Sequence, residues 1–265
     1  MTRDSVHGDV QFLTGSPARF AVLSALAESP ARPCELCDRI DATRTTIQRI
    51  LAGYSDRQWV RKVDGDYRLT LTGRRVYERY ESLLAETERA KQFGPLAEHL
   101  GPIGDELPDV VLDTGTITVG SEQTPLAPVN RLTEWFAAAE GDVKTVSPIV
   151  AAIFNNTATT LLEQGTRIES IIDHSVLERS EREFDDALAR GVDDESIEFY
   201  VYETSLDFGL VVDDRGCCLG AYDDSNNLRV TLVVEDPAAR EWALDRFHRY
   251  REDATPLETV LSAPE

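Results

Sequence analysis

The sequence predicts a mixed α/β (α+β) chain of two domains, residues 1–93 and 94–265. Three observations lead there. Between residues 33 and 68, apolar residues recur twice at helical spacing around a short polar break, and a pair of strand-like runs follows. Residues 94–108 are rich in glycine and proline, the composition of a boundary between domains. Beyond them, strand and helix patterns alternate and then give way to consecutive hairpin strands, which implies a mixed sheet with helices packed on it.

Residues 1–15 are polar and expected to fray at first, with Val10, Phe12 and Leu13 available to pack on the next helix. Ser16 and Pro17 open that helix as N-cap and first-turn proline; Phe20, Leu23 and Leu26 share one face, and Ser29-Pro30 ends it. Leu36, Cys37 and Ile40 define a short helix. Asp41-Ala42-Thr43 breaks the pattern, with Thr43 as N-cap for a second helix carrying Ile47, Ile50, Leu51 and Tyr54. Residues 59–63 and 67–70 read as strands joined by Asp64-Gly65-Asp66, whose Asp-Gly pair suits a hairpin turn. Helix, turn, helix and hairpin in this order form the layout of a winged helix-turn-helix, in which the second helix enters the DNA major groove. A further helix opens at Leu71 and is expected to reach about Phe93, with Val76, Tyr80, Leu83 and Leu84 at helical spacing, as suits a connector or a dimer strut.

In the second domain, residues 110–119 read as a strand or hairpin, 125–139 as a helix, 143–147 as a strand, 149–164 as a helix and 167–172 as a strand. A charged amphipathic helix is expected over 176–189, then strands at 197–202, 208–212, 217–222 and 228–234 with polar turn clusters between the later ones. Pro237 opens a final helix bearing Trp242, Leu244, Phe247 and Tyr250.

Charge divides the chain the same way. Residues 1–92 hold 15 basic and 13 acidic side chains; residues 93–265 hold 12 and 35, within a formal net charge of −21. The segment 39–75 alone carries nine basic against four acidic residues, so positive potential is concentrated on the expected DNA reader. Only Lys62, Lys91 and Lys144 are lysines. An acidic surface nearly free of lysine resembles proteins of salt-loving archaea, where concentrated salt screens self-repulsion and counterion release drives DNA binding only weakly. No secretion signal or apolar run of spanning length is evident and four cysteines make no disulfide framework, so a cytoplasmic protein without a membrane partner is expected.

The first turns of the second helix offer Arg44, Thr45, Thr46, Gln48 and Arg49 to base edges: arginine can bind guanine and glutamine adenine through two hydrogen bonds each, and threonine can meet a thymine methyl or a phosphate. Arg61, Lys62 and Arg68 on the hairpin would reach phosphates, as would Arg74 and Arg75. The competing reading makes these arginines a solvated face paired with Asp38, Asp41 and Asp56.

Residues 25–69, with CELCDRIDATRTTIQRIL and WVRKVDGDYRLT, resemble winged-helix regulators of archaea. The stretches VKTVSPIVAAIFNNTATTLLEQGTRIESIID and DFGLVVDDRGCCLGAYDDSNNLRVTLVVEDPAAREWALDRFHRY resemble the effector domain of the archaeal methanogenesis-regulator-like transcription factors, which is similar to the degenerate phospholipase-D-like domain of TrmB-like regulators. The resemblance implies a repressor or activator, often dimeric, whose binding to promoter DNA responds to a small metabolite.

Phospholipase-D-type chemistry needs a nucleophilic histidine with a lysine two residues on, and His7, His99, His174 and His248 all lack one. No catalytic residue, cofactor or metal site is therefore expected. Cys34 and Cys37 lie one helical turn apart and could pack in the small core, act as a redox switch or hold half a zinc site that has no evident further ligands. Cys217 and Cys218 should point to opposite faces of a strand. An effector pocket is expected where strand ends meet loops, near Ser147, Asn155, Asn156, Asp173, His174, Tyr202, Glu203 and Asp207, each of which could instead be a cap, a turn residue or a solvated side chain. Besides the metabolite-responsive regulator, two readings stay open: a redox regulator using Cys34 and Cys37, and a ligand-free architectural DNA-binding protein.

Overall fold

The computed structural model describes residues 3–183 and 194–262. The chain divides into two compact units, Met1–Glu88 and Arg89–Glu265.

The first unit contains α1 (Arg3–Thr14), α2 (Pro17–Glu28), α3 (Pro33–Arg39), α4 (Arg44–Asp56), the hairpin β1 (Val60–Val63) and β2 (Asp66–Leu69), and the start of α5 (Leu71–His99). Arg3–Thr14 form a helix where fraying was expected, because α1 is tied down by its own apolar end. Leu13 is buried, and the Phe12 ring sits between the guanidinium groups of Arg19, 4.2 Å from its centroid, and Arg57, 3.9 Å away. Val10 stays exposed. Ser16 precedes α2 without a side-chain cap bond, so Pro17 alone marks that start, whereas Thr43 does cap α4 through Thr46 N, 3.2 Å from its Oγ1. The core is Val22, Leu23, Leu26, Leu36, Ile47, Ile50, Leu51, Tyr54 and Val60. Tyr54 is fully buried and donates to the Arg19 carbonyl at 2.6 Å, and burial raises its phenol above the usual tyrosine range.

α5 does not stop near Phe93. It continues through Gly94 and Pro95 to His99, with Phe93, Leu96 and Leu100 buried in the second unit's core. A proline inside a helix costs about 3 kcal/mol, while burying each of three large apolar side chains contributes about 1.5–3 kcal/mol, so packing outweighs the break.

In the second unit a 3₁₀ turn (Gly101–Glu106) leads to α6 (Asp109–Thr114), β3 (Thr116–Val119), α7 (Ala127–Ala137), β4 (Val143–Ser147), α8 (Ala152–Glu163), β5 (Ile168–Asp173) and α9 (His174–Glu183). Then come β6 (Ile197–Tyr202), β7 (Phe208–Val212), β8 (Cys217–Tyr222), β9 (Leu228–Val234), α10 (Pro237–Glu252), β10 (Thr255–Pro256) and α11 (Leu257–Ser262). Residues 110–119 are thus a helical turn and a strand, not a strand or hairpin throughout. Val111 is buried from α6, and Gly115 makes the corner where a Cβ would lie 2.4 Å from the Val111 carbonyl. The helix expected from residue 149 begins at Ala152, and the part of the 176–189 helix beyond Glu183 falls outside the described residues. The last short strand and helix carry no clear periodicity in the sequence.

One mixed eight-stranded sheet runs in the order β10-β6-β5-β4-β7-β8-β9-β3. β4, β5 and β6 are parallel and the other neighbouring pairs antiparallel. Strand alternation divides the core. Val146, Ile171, Leu210, Val212, Cys217 and Leu219 pack with Ala239, Ala243 and Phe247 of α10; Val143, Ile168, Val211 and Cys218 pack with Leu132, Trp135 and Phe136 of α7 and Leu161 of α8. Cys217 and Cys218 thus face opposite sides. Among the described residues no helix is long and apolar enough to cross a membrane.

Candidate nucleic-acid interface and ligand cavity

The first unit gathers the basic residues around α4 and the hairpin. Pro33 opens α3 in its first turn and Glu35 bonds back to the Arg32 amide at 2.7 Å, so the helix before the turn is held at both strand and helix level. Ala31 pairs with Tyr67 of β2 through two backbone bonds of 3.0 and 2.8 Å, and Arg32 Nε meets Asp66 Oδ1 at 3.1 Å. These contacts fix the wing to the helix-turn-helix. Asp64 and Gly65 both have positive φ, 52° and 93°, which is the two-residue turn whose twist matches the strands.

α4 starts with Arg44, Thr45 and Thr46. Arg44, Thr45, Gln48 and Arg49 are exposed and Thr46 is half-buried by its bond to Thr43. The competing pairing with Asp38, Asp41 and Asp56 does not form: among the described residues Arg44 and Arg49 have no carboxylate partner, and neither have Arg61, Arg68, Arg74 and Arg75. Arg61 and Arg68 stand directly opposite each other across β1 and β2. Like charges at such positions repel and destabilise a hairpin. Lys62 occupies the other face of the hairpin, its Nζ 5.6 Å from the Tyr67 ring centroid. Arg57, by contrast, is structural: it packs on Phe12 and pairs with Asp9 at 2.8 Å.

The second unit contains a cavity of about 490 Å³ between one face of the sheet and α7, α8 and α9. Its apolar walls include Leu132, Phe136, Phe154, Ile168, Ile172 and Phe199. Of the residues expected to serve a ligand, Ser147 and Asn155 line it. Asp173 does not. It is buried and accepts from Ser175 Oγ (2.7 Å), Val176 N (3.0 Å) and Leu206 N (3.0 Å), so it caps α9 and anchors the loop after β6. His174 is exposed in the first turn of α9, Glu203, Asp207 and Asn156 are exposed, and Tyr202 packs against Tyr250 on the opposite side of the sheet. Strand-end polar residues are consumed by capping and turns, which is why proximity to a strand end misplaced them.

The cavity's inner polar groups come from mid-strand. Thr145 Oγ1 donates to Ser170 Oγ at 2.9 Å, both side chains being buried. Tyr222 lies over Gly209 and Gly220; a Cβ on Gly209 would fall 2.8 Å from its hydroxyl oxygen. Burial raises the Tyr222 phenol well above its ordinary range, so it is a neutral O–H donor. Glycine inside a strand signals a close approach, and the pair Gly209 and Gly220 is a sequence signal that could have located this site but that the strand-end reading leaves unused. Among the described residues no group of three or more His, Cys, Asp or Glu side chains is placed to hold a metal ion.

No curated protein matches the chain. The structure of TrmBL2, an archaeal chromatin protein, is similar over 90% of this chain and 94% of that one, with 13% identity and a TM-score of 0.43. Nuc, a phospholipase D family member of Salmonella typhimurium, is similar over 54% of this chain and 97% of its own, with 11% identity and a TM-score of 0.43. A phosphatidylserine synthase of Haemophilus influenzae covers 56% of this chain and 41% of its own at 16% identity and the same TM-score of 0.43. These likenesses are distant. The domain families are more specific: residues 7–92 match the HVO_A0261 N-terminal domain, and residues 125–253 match the middle domain of the methanogenesis regulatory protein FilR1.

Proposed function

We propose that the chain is a DNA-binding transcriptional regulator of the archaeal TrmB-like kind. Its first unit reads promoter DNA with α4 and the wing, and its second unit responds to a small-molecule effector. The observation that carries the first half is the facing pair Arg61 and Arg68. Two arginines at facing positions of a hairpin, neither with a carboxylate partner, cost stability, and a DNA phosphate reached by both reverses the sign of that interaction. Arg44, Gln48 and Arg49, exposed at the start of α4, supply base contacts. The effector half is supported by the cavity and by the match to a regulatory protein's middle domain. The reading assigns no catalysis to the chain. It includes a homodimer, for which the exposed Leu83 and Leu84 on α5 speak. It also includes a cytoplasm rich in salt, for which the acidic, lysine-poor composition speaks.

Genome-wide occupancy in the native host under two nutrient conditions tests this function, with wild type beside Arg44→Ala. Sharp promoter peaks that change with nutrient, and whose site preference relaxes in the variant, are the expected result. Diffuse occupancy, or a variant with unchanged preference, would refute DNA reading by α4; sharp peaks indifferent to nutrient would remove the effector half.

A further inference from the structure

The cavity's lining restricts what it can hold. Its volume of about 490 Å³ is that of a small-molecule site. Among the described residues that line it none is lysine, arginine or histidine, and the two charged ones, Glu163 and Asp194, are acidic. A carboxylate or phosphate placed here would be desolvated with no cation among the described lining residues to meet it, a cost that the α8 N-terminus, which lacks a side-chain cap, offsets only in part. A cation fares little better. Glu163 is exposed to solvent, and Asp194 Oδ1 already accepts from Ser196 N at 2.8 Å.

The inner hydroxyls set the remaining requirement. Ser170 accepts from Thr145, but its own proton has no acceptor among the described residues, although the side chain is more than nine-tenths buried. The Tyr222 hydroxyl likewise makes no hydrogen bond there, and its residue is 7% exposed. For the buried Ser170 an unmatched proton costs about 1–3 kcal/mol, while the Tyr222 hydroxyl opens onto the cavity. Both donors line the same cavity but stand apart on the sheet, on β5 and β8 with β4 and β7 between them, so they serve different parts of it. Elsewhere on that side the hydroxyl protons are used internally, Ser180 Oγ donating to Val176 O at 2.8 Å and Ser147 Oγ to Ile149 O at 2.7 Å.

We propose that this cavity binds an uncharged, mainly apolar small molecule bearing hydrogen-bond acceptors such as carbonyls, one received by the hydroxyl of Ser170 and another by that of Tyr222. The inference rests on reading the second unit as a sensor and names the chemical class sensed. It ranks phosphorylated and carboxylated metabolites below neutral ones as occupants.

Two fluorescent probes of similar ring size test it on the full chain: 6-propionyl-2-(dimethylamino)naphthalene, neutral with one ketone, and 8-anilinonaphthalene-1-sulfonate, an anion. Titrations in 1 M KCl, where the screening length falls to about 3 Å, remove repulsion by the acidic surface as an explanation. The ketone should bind once per chain with blue-shifted emission, and the sulfonate should neither bind nor compete. One of Ser170→Ala and Tyr222→Phe, whichever removes the hydroxyl that receives the single ketone, should weaken the probe about three- to tenfold, the effect of one hydrogen bond. Ala158→Trp, projecting from α8 into the cavity, should abolish binding; should it fail to fold, the two conservative variants carry the test. Sulfonate binding as tight as the ketone's would overturn the ligand class and leave the sensor reading standing. Ketone affinity unchanged in Ser170→Ala and Tyr222→Phe would overturn the assignment of the acceptor. Binding of neither probe would overturn the proposal, while nutrient-dependent occupancy still decides separately whether the chain senses anything.

Discussion

Gly53→Ala provides a test in which two physical effects oppose each other. Within the helix α4, alanine is favoured over glycine by about 0.8–1 kcal/mol. Against this, a Cβ at residue 53 would stand 2.3, 2.8 and 3.2 Å from three atoms of the Phe12 ring. The ring cannot simply swing away, because Arg19 and Arg57 flank it at 4.2 and 3.9 Å and Tyr54 meets it edge-on with centroids 5.6 Å apart. Displacing it forfeits two cation–π contacts of about 0.5–1 kcal/mol each and an aromatic pair of about 0.5–1.5 kcal/mol. The collision therefore outweighs propensity, and Gly53→Ala should destabilise the first unit by about 1–2 kcal/mol, within the range of overpacking. In a Phe12→Ala background the obstacle is gone, and the same substitution should stabilise by roughly the full propensity gain. Urea unfolding in molar KCl reads both, with Trp135→Phe and Trp242→Phe introduced so that Trp59, 5.8 Å from Tyr54, reports on this unit alone. A stabilising or neutral Gly53→Ala in the Phe12 background would refute the reasoning, as would the same effect in both backgrounds.

The turn between β7 and β8 is held by Asp213, whose side chain is fully buried and accepts from Arg215 Nε (2.7 Å), Arg215 N (2.9 Å) and the amides of Gly216 and Glu140 (both 3.3 Å). Asp213→Ala leaves those donors without an acceptor and should cost the second unit about 3–5 kcal/mol in urea unfolding, with Asp213→Asn costing less; a loss under about 1 kcal/mol would count against it. Thiol chemistry should divide the four cysteines into two classes. Burial pushes the Cys217 thiol up to about 12 and the Cys218 thiol well above its ordinary value, so both remain protonated and unreactive at pH 8, while exposed Cys34 and half-buried Cys37 should take up iodoacetamide. Intact mass after native labelling should show two adducts and four after unfolding. If oxidant then alters DNA affinity in wild type and not in Cys37→Ser, the redox reading of that pair gains the weight the effector now holds.

Much of this architecture was legible in local pattern. Thr43 as a cap, the Asp64-Gly65 turn and the strands at 197–202, 208–212, 217–222 and 228–234 depend on the periodicity or chemistry of a few adjacent residues, and the structure has each of them. So do the opposed faces of Cys217 and Cys218, since strand alternation is a property of the backbone. Errors fell where distant packing overrode local signals. Phe93, Leu96 and Leu100 carry α5 through Gly94-Pro95, Phe12 orders α1, and Val111 turns an apolar run into a helix.

The basic helix-turn-helix and its wing were thus determined by the sequence alone, because capping, turn chemistry and charge are read residue by residue along a contiguous stretch. Only the tertiary structure decided that Arg61 faces Arg68, since that depends on hairpin register, and that Arg44 and Arg49 go without acidic partners. The cavity belongs wholly to the tertiary level. Thr145, Ser170, Gly209 and Tyr222 lie on four strands whose order in the sheet, β5-β4-β7-β8, differs from their order in the chain. A void is what remains when side chains from distant segments fail to fill the space between a sheet and its helices, and no local pattern encodes that remainder.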